Sequence, residues 1–218
     1  MLSIANLSKD FKNNTIFDCA SVSFYEGITG IVGLNGSGKT TLLNCIAGFT
    51  SYSGDISLNG VLLNPYSYVK RIKFGIGYLT QESNLLENET VKTNLIIAVE
   101  LLFKNKICRT ELIERTIDEY NLHPLLNQKC STLSGGERKR FELSLTLLNI
   151  DTLKAVLLDE PFTGIDYENC NFVFSKIKEI KRKCIIIIDH NVDLLFKLSD
   201  NIYRVTDFKL LDIFTNKL

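Results

Sequence analysis

An α/β fold around a mostly parallel sheet is what this 218-residue sequence predicts, and three observations carry the prediction. Residues 28–32, 155–158 and 184–188 are short, uninterrupted apolar runs, the pattern of strands covered on both faces. A glycine-rich loop at residues 33–41 follows the first run and leads into Leu42, Leu43, Ile46 and Ala47, which share one helix face. Between residues 90 and 149 the pattern turns helical, with apolar positions at Leu95, Val99 and Leu102 and again at Leu112, Ile113 and Ile117.

In chain order, residues 2–7 and 21–25 read as short strands with Phe11 between them, and residues 28–32 as a third. Residues 55–63 alternate around Asn59-Gly60, a strong hairpin signal because both residues tolerate positive φ, and so predict an antiparallel β flap. Residues 75–80 form another short strand that ends on Gln81. Beyond the helical stretch, a helix from Tyr167 to about residue 181 turns Phe172, Val173, Ile177 and Ile180 inward, between the strands at 155–158 and 184–188. Residues 201–205 and 208–214 close the chain as a hairpin. The expected organisation is one domain over 1–218, with 1–81 and 151–218 as core plus β flap and 82–150 as an inserted helical subdomain.

Lys plus Arg and Asp plus Glu both number 25, so no net field favours nucleic acid or an anionic membrane. The longest apolar stretches, 95–103 (broken by Glu100) and 184–188, are shorter than the roughly 18 residues that a membrane span needs. Residues 1–6 lack the basic segment and apolar core of a secretory signal. The six cysteines contain no Cys-x-x-Cys, and only His123 and His190 are present to join them, which fits thiols in a reducing cytosol better than a metal cluster or disulfide framework.

Three motifs carry the chemistry. Strand, glycine loop and helix at residues 28–47 form a P-loop, in which Gly33, Gly36 and Gly38 let the backbone curl so that N–H groups face a phosphate at the positive end of the helix dipole. Asn35, Ser37 and Thr41 complete the loop; Lys39 reaches the β- and γ-phosphates and the Thr40 hydroxyl ligates Mg²⁺. The strand at 155–158 runs into Asp159 and Glu160, where the first carboxylate suits Mg²⁺ and the second suits the attacking water. At Leu133-Ser134-Gly135-Gly136-Glu137 a helix begins whose N–H groups and dipole suit a second phosphate, while Ser134 and Glu137 equally satisfy a capping box. Because the P-loop already serves one nucleotide, the second site makes sense for the nucleotide of another copy.

In this order and spacing, residues 33–41, Gln81, residues 133–137, Asp159-Glu160 and His190 closely resemble the nucleotide-binding subunit of ATP-binding cassette (ABC) transporters, over the whole chain. The resemblance implies an α/β P-loop NTPase of the ABC ATPase type that hydrolyses ATP with Mg²⁺. It further implies Phe11 as the aromatic stacked on adenine (or else a core Phe), Gln81 as a contact to Mg²⁺ and the attacking water, Glu160 as catalytic base and His190 as the γ-phosphate switch. Asp166 corresponds to the loop that joins two active sites across a dimer, or caps the following helix, and both roles are compatible. His123 matches nothing in the family and reads as structural. Arg138, Tyr167 and the absence of an Arg-Ala pair in residues 141–147 depart from the common pattern without touching a reacting group.

A narrower resemblance, through residues 133–141, 159–166 and 189–192, points to the ATPase of the lipopolysaccharide-export transporter, with branched-chain amino-acid importers near it. The implied partners are a second cassette, identical or paired, and integral membrane subunits, met from the cytoplasmic face of the membrane. Leu85 and Leu86, in the polar stretch 82–87, either line the docking groove for those subunits or pack beneath the helical lobe. The rival to transport is an ABC-type mechanical transmitter acting on a membrane complex without moving cargo.

Overall fold

The computed structural model describes residues 1–12, 14–103 and 106–215, with Lys106 and Ile107 described by their backbone alone. The chain forms two compact units: residues 1–81, 152–163 and 177–218, and residues 82–151 with 164–176.

The first unit holds two sheets. Strands β1 (Leu2–Phe11), β2 (Asn14–Phe24), β4 (Ser53–Leu58) and β5 (Val61–Leu62) form an antiparallel sheet in the order β2-β1-β4-β5. The β4–β5 turn places Asn59 and Gly60 at φ 51° and 78°, as their sequence requires. The second sheet has the order β10-β9-β3-β8-β7-β6, from β3 (Gly27–Val32), β6 (Ile76–Leu79), β7 (Ala155–Asp159), β8 (Cys184–Ile188), β9 (Asn201–Thr206) and β10 (Lys209–Thr215). Its strands pair in parallel except β10, which closes the edge as an antiparallel hairpin with β9. The β7 and β8 residues are all buried, and full burial of each such aliphatic side chain contributes about 1.5–3 kcal/mol.

Parallel register decides where the chemistry stands. Ile31 and Asp159 both align with Ile188, so the loops after β3, β7 and β8 leave the sheet at one edge. That edge carries the glycine loop, Asp159-Glu160 and Asp189-His190.

Helix α1 (Lys39–Ala47) follows the glycine loop, and α2 (Tyr68–Phe74) precedes β6. Arg71 of α2, only 2% exposed, donates through Nη1 to Cys45 O and Ile46 O at 2.8 Å each, and through Nε to Tyr66 O at 2.9 Å. It thereby adds charged donors to carbonyls at the C-terminus of α1, where the helix ladder runs out and the dipole is negative. A Cβ at Gly48, which ends α1 at φ 85°, would lie 2.8 Å from Arg71 Nε. Helix α7 (Val192–Leu198) lies between β8 and β9. Neither α2 nor α7 is among the expected elements, because seven residues are two turns, too few for a 3.6-residue period to register.

The second unit contains α3 (Val91–Leu102), α4 (Lys106–Glu119), α5 (Gly135–Thr146) and α6 (Tyr167–Glu179) as far as Lys176. Leu95, Val99, Leu112 and Ile117 are buried within it, as their spacing predicts. Thr90 caps α3 by accepting from Thr93 N at 3.1 Å. The N-terminal part of α6 joins this unit through Phe172, whose ring meets Tyr120 edge-on at 6.0 Å, and through Asn169, discussed below. Among the described residues no helix is long and apolar enough to cross a membrane, and all six cysteines are free thiols.

Candidate nucleotide site

The phosphate loop is built by β3 and α1. Gly36 and Gly38 take φ of 75° and 101°, and Ile16 and Phe17 of β2 occupy the space that a Cβ at Gly38 would fill. Leu34, Asn35 and Gly36 are exposed, while Ser37, Thr40 and Thr41 are half-buried. Lys39, only 8% exposed, folds its ammonium back onto Gly33 O at 2.8 Å and Leu34 O at 3.0 Å. Burial pushes the Lys39 pKa down, and the negative charges of Asp159 and Glu160 oppose the shift. Ser37 Oγ is buried without a hydrogen-bond partner. An unsatisfied hydroxyl, a lysine held by loop carbonyls and the free N–H groups of a helix start together fit a polyphosphate.

At the adjoining strand ends, one carboxylate gathers two partners. Glu160 Oε1 accepts from His190 Nε2 at 2.8 Å and from Gln81 Nε2 at 3.3 Å. Its backbone sits at φ 53°, in the left-handed region, and its N–H donates to Ile188 O at 2.7 Å. Asp159, the last residue of β7, is fully buried. Thr40, Gln81 and Asp159 offer hard oxygen donors of the kind Mg²⁺ takes, with phosphate and water supplying the remainder. Among the described residues no group of three or more His, Cys, Asp or Glu side chains is placed to hold a metal ion.

Phe11 is the final residue of β1 rather than part of a loop between strands; it pairs with Asn14 of β2 and is 49% exposed. The Lys9 ammonium stands 4.5 Å from its ring centroid. Half exposure excludes a fully buried core role and leaves ring surface for an aromatic ligand.

In the second unit, Ser134 and Glu137 form a complete capping box at the start of α5. Glu137 Oε2 accepts from Ser134 N at 2.9 Å and from Ser134 Oγ at 2.8 Å, and Ser134 Oγ accepts from Glu137 N at 3.3 Å. The backbone hydrogen bond from Ser134, followed by that from its hydroxyl, holds the Glu137 carboxyl below its usual range. Asp166 caps α6: it accepts from Asn169 N at 2.9 Å and from Asn169 Nδ2 at 2.7 Å, and these bonds lower its pKa, the backbone one most. Asn169 in turn lies where a Cβ at Gly136 would be, and the Gly164 carbonyl lies where a Cβ at Gly135 would be. Both glycines are therefore required by close packing. His123 is exposed and pairs with Asp118 at 2.7 Å.

Three residues of this arrangement escaped the sequence reading. Asp189, 5% exposed, accepts from Phe162 N at 3.0 Å and Asn191 N at 2.8 Å, so it ties the loop after Glu160 to the loop carrying His190. Burial raises its pKa, partly offset by those two N–H groups. Ile16 and Asn169 act by packing against glycines, a relation that only the folded chain reveals. The Asp189-His190 adjacency was the available signal for the first; the other two carried none.

A phosphate loop, a strand-end Asp-Glu pair and a histidine in the loop after the neighbouring strand define a nucleoside-triphosphate-hydrolysing class of protein. The ABC transporter family profile matches residues 18–163, more than half of the chain. The chain is 32% identical over 209 residues to a probable branched-chain amino acid transport ATP-binding protein, LivF, of Archaeoglobus fulgidus (93% of this chain, 87% of LivF). It is 34% identical over 206 residues to the tungstate uptake ATP-binding protein TupC of Peptoclostridium acidaminophilum (92% of each). It is 30% identical over 215 residues to the lipopolysaccharide export ATP-binding protein LptB of Acidithiobacillus ferridurans (97% and 88%). Among solved structures, the dimeric ADP- and Pi-bound cassette MJ0796 superposes with a TM-score of 0.89 at 19% identity, covering 100% of this chain and 99% of that one. The ADP conformation of the cassette MJ1267 gives 0.82 at 25% identity, covering 97% and 89%. The chain belongs to the ABC transporter family, as an ATP-binding and ATP-hydrolysing subunit.

Proposed function

We propose that two cassettes, each like this chain, close head to tail around two ATP molecules and drive membrane subunits from the cytoplasmic face. Each nucleotide lies between the Gly33–Thr41 loop of one copy and Ser134, Gly135 and Gly136 of the other. Phe11 stacks on the base, Lys39 and the loop hold the phosphates, and Mg²⁺ takes Thr40, Gln81 and, through water, Asp159. Glu160 accepts the proton of the attacking water, and His190 holds the γ-phosphate side.

The observation that carries this reading is the Glu160 carboxylate, which His190 and Gln81 hold together at the edge of the sheet where the phosphate loop also emerges. With relatives named for amino-acid transport, tungstate uptake and lipopolysaccharide export all at 30–34% identity, the narrower likeness to lipopolysaccharide export earns no preference. The test is light scattering on Glu160→Gln. A dimer with MgATP and a monomer without it are expected, because a ligand bridging two copies stabilises the closed state by mass action. If Ser134→Arg in that background dimerises equally well, the sandwich is wrong.

A further inference from the structure

Arg138 lies one turn beyond Ser134 on α5, and its guanidinium binds three parts of the second unit. Nη1 and Nη2 meet the two carboxylate oxygens of Glu87 at 2.5 and 2.9 Å, Nη2 also donates to Cys130 O at 2.6 Å, and Nη1 to Ser83 Oγ at 3.2 Å. A fork-to-fork pair of this kind fixes direction as well as distance. The Arg138 hydrogen bond also keeps the Glu87 carboxyl below its usual range. The backbone is joined along the same line: Ser131 N donates to Glu87 O and Cys130 N to Glu89 O, each at 3.0 Å. On the other side, Asn94 of α3 clamps Leu86, accepting from Leu86 N at 2.8 Å and donating to Leu86 O at 3.1 Å. The exposed leucine segment and the approach to Ser134 are thus one hydrogen-bonded body.

We infer that Arg138 and Glu87 are positioning residues that lock the start of α5 to the segment carrying Leu85 and Leu86, so that movement of this segment changes how well Ser134, Gly135 and Gly136 receive the nucleotide of a second copy. Neither residue touches nucleotide; the pair acts by setting the angle and position of the α5 N-terminus. The inference rests on the proposed sandwich, and its test separates the two.

In the Glu160→Gln background, MgATP is titrated into the full chain while dimer formation is followed by light scattering. Glu87→Gln and Arg138→Gln should each raise the ATP concentration for half-maximal dimerisation about threefold to tenfold, the range for coupled charge-assisted pairs. Arg138→Lys, which keeps the charge but loses the fork, should fall between. The exchanged pair, Glu87→Arg with Arg138→Glu, should recover part of the loss, since a carboxylate at position 138 restores the ion pair but cannot donate to Cys130 O. Binding of a fluorescent ATP analogue to the monomer should stay unchanged in every variant, since the phosphate loop is untouched. An unaltered dimerisation midpoint in the single variants overturns the inference, as does an exchanged pair impaired by the product of the two single effects. A fall in monomer ATP affinity that matches the loss of dimer also overturns it, because the effect would then be general unfolding. If Glu160→Gln itself fails to dimerise with ATP, the sandwich falls and the positioning role with it.

Discussion

Glu160 is asked to do several things with one carboxylate. It occupies a left-handed backbone position that side chains other than glycine and asparagine seldom adopt, and it accepts from both His190 and Gln81. Such a conformation persists only where the surroundings over-determine it, and here the Glu160 N–H to Ile188 O bond and the Asp189 bridge to Phe162 supply that restraint. Glu160→Gln keeps the shape and the Gln81 contact but removes the proton acceptor. Steady-state ATP hydrolysis should drop at least about a hundredfold while ATP binding is kept, the usual scale for losing a general base. An unchanged rate would take the role from Glu160. His190→Ala should also be severely impaired, and a wild-type rate there would return His190 to a purely structural part. That Glu160, His190 and Gln81 meet beside the phosphate loop was legible because strand, loop and carboxylate order survive in the linear sequence. The Asp189 bridge was not, since its partners, Phe162 and Asn191, are defined by the meeting of two strand ends.

At the scale of elements, α5 begins with its own acid in place. Ser134 gives both its N–H and its hydroxyl to Glu137, so a phosphate arriving there meets donors already engaged by a negative side chain. The capping box, read from the sequence as compatible with an anion site, thus already uses two of the donors that such a site would offer. Glu137→Gln should accordingly tighten ATP-driven dimerisation. It should also change the acid response. Because the folded protein holds the Glu137 carboxyl below its unfolded value of about 4.3, its stabilisation is full above that pH and disappears as pH falls through the lower folded value. The gap in unfolding temperature between the native chain and Glu137→Gln, measured from pH 7 to pH 3, should narrow on the acid side. A gap that does not vary with pH would remove the capping box from the stability of α5. Long periodic helices such as α3 were readable in advance; α2 and α7 were not, and Arg71 and Asn191, which make them useful, were hidden with them.

For the molecule as a whole, the mostly parallel sheet, its closing hairpin and the β4–β5 turn follow from apolar runs and the Asn59-Gly60 pair, whereas β1 and β2 run longer than the short strands expected at 2–7 and 21–25 and complete a four-stranded flap. The grouping of α6 with the second unit follows instead from Asn169 against Gly136 and Phe172 against Tyr120, contacts without any pattern in sequence. Leu86 is 49% exposed and Leu85 half-buried, in a segment flanked by Glu82 and Glu87. An apolar residue held outward by Asn94 suits a partner helix with apolar anchors and basic flanks. Leu85→Asp with Leu86→Asp should abolish co-purification with the membrane subunits while leaving a folded chain that binds ATP. Continued co-purification, or unfolding, would defeat this docking assignment. Arg71 gives the closing consequence. By seating a guanidinium on the carbonyls of Cys45 and Ile46, it anchors α1 from the end that never meets nucleotide. The amide protons of the last turn of α1 should then exchange with deuterated solvent at a slow rate that is the same whether the phosphate loop is empty or filled, leaving the loop and the first turn to quicken and slow as each turnover passes.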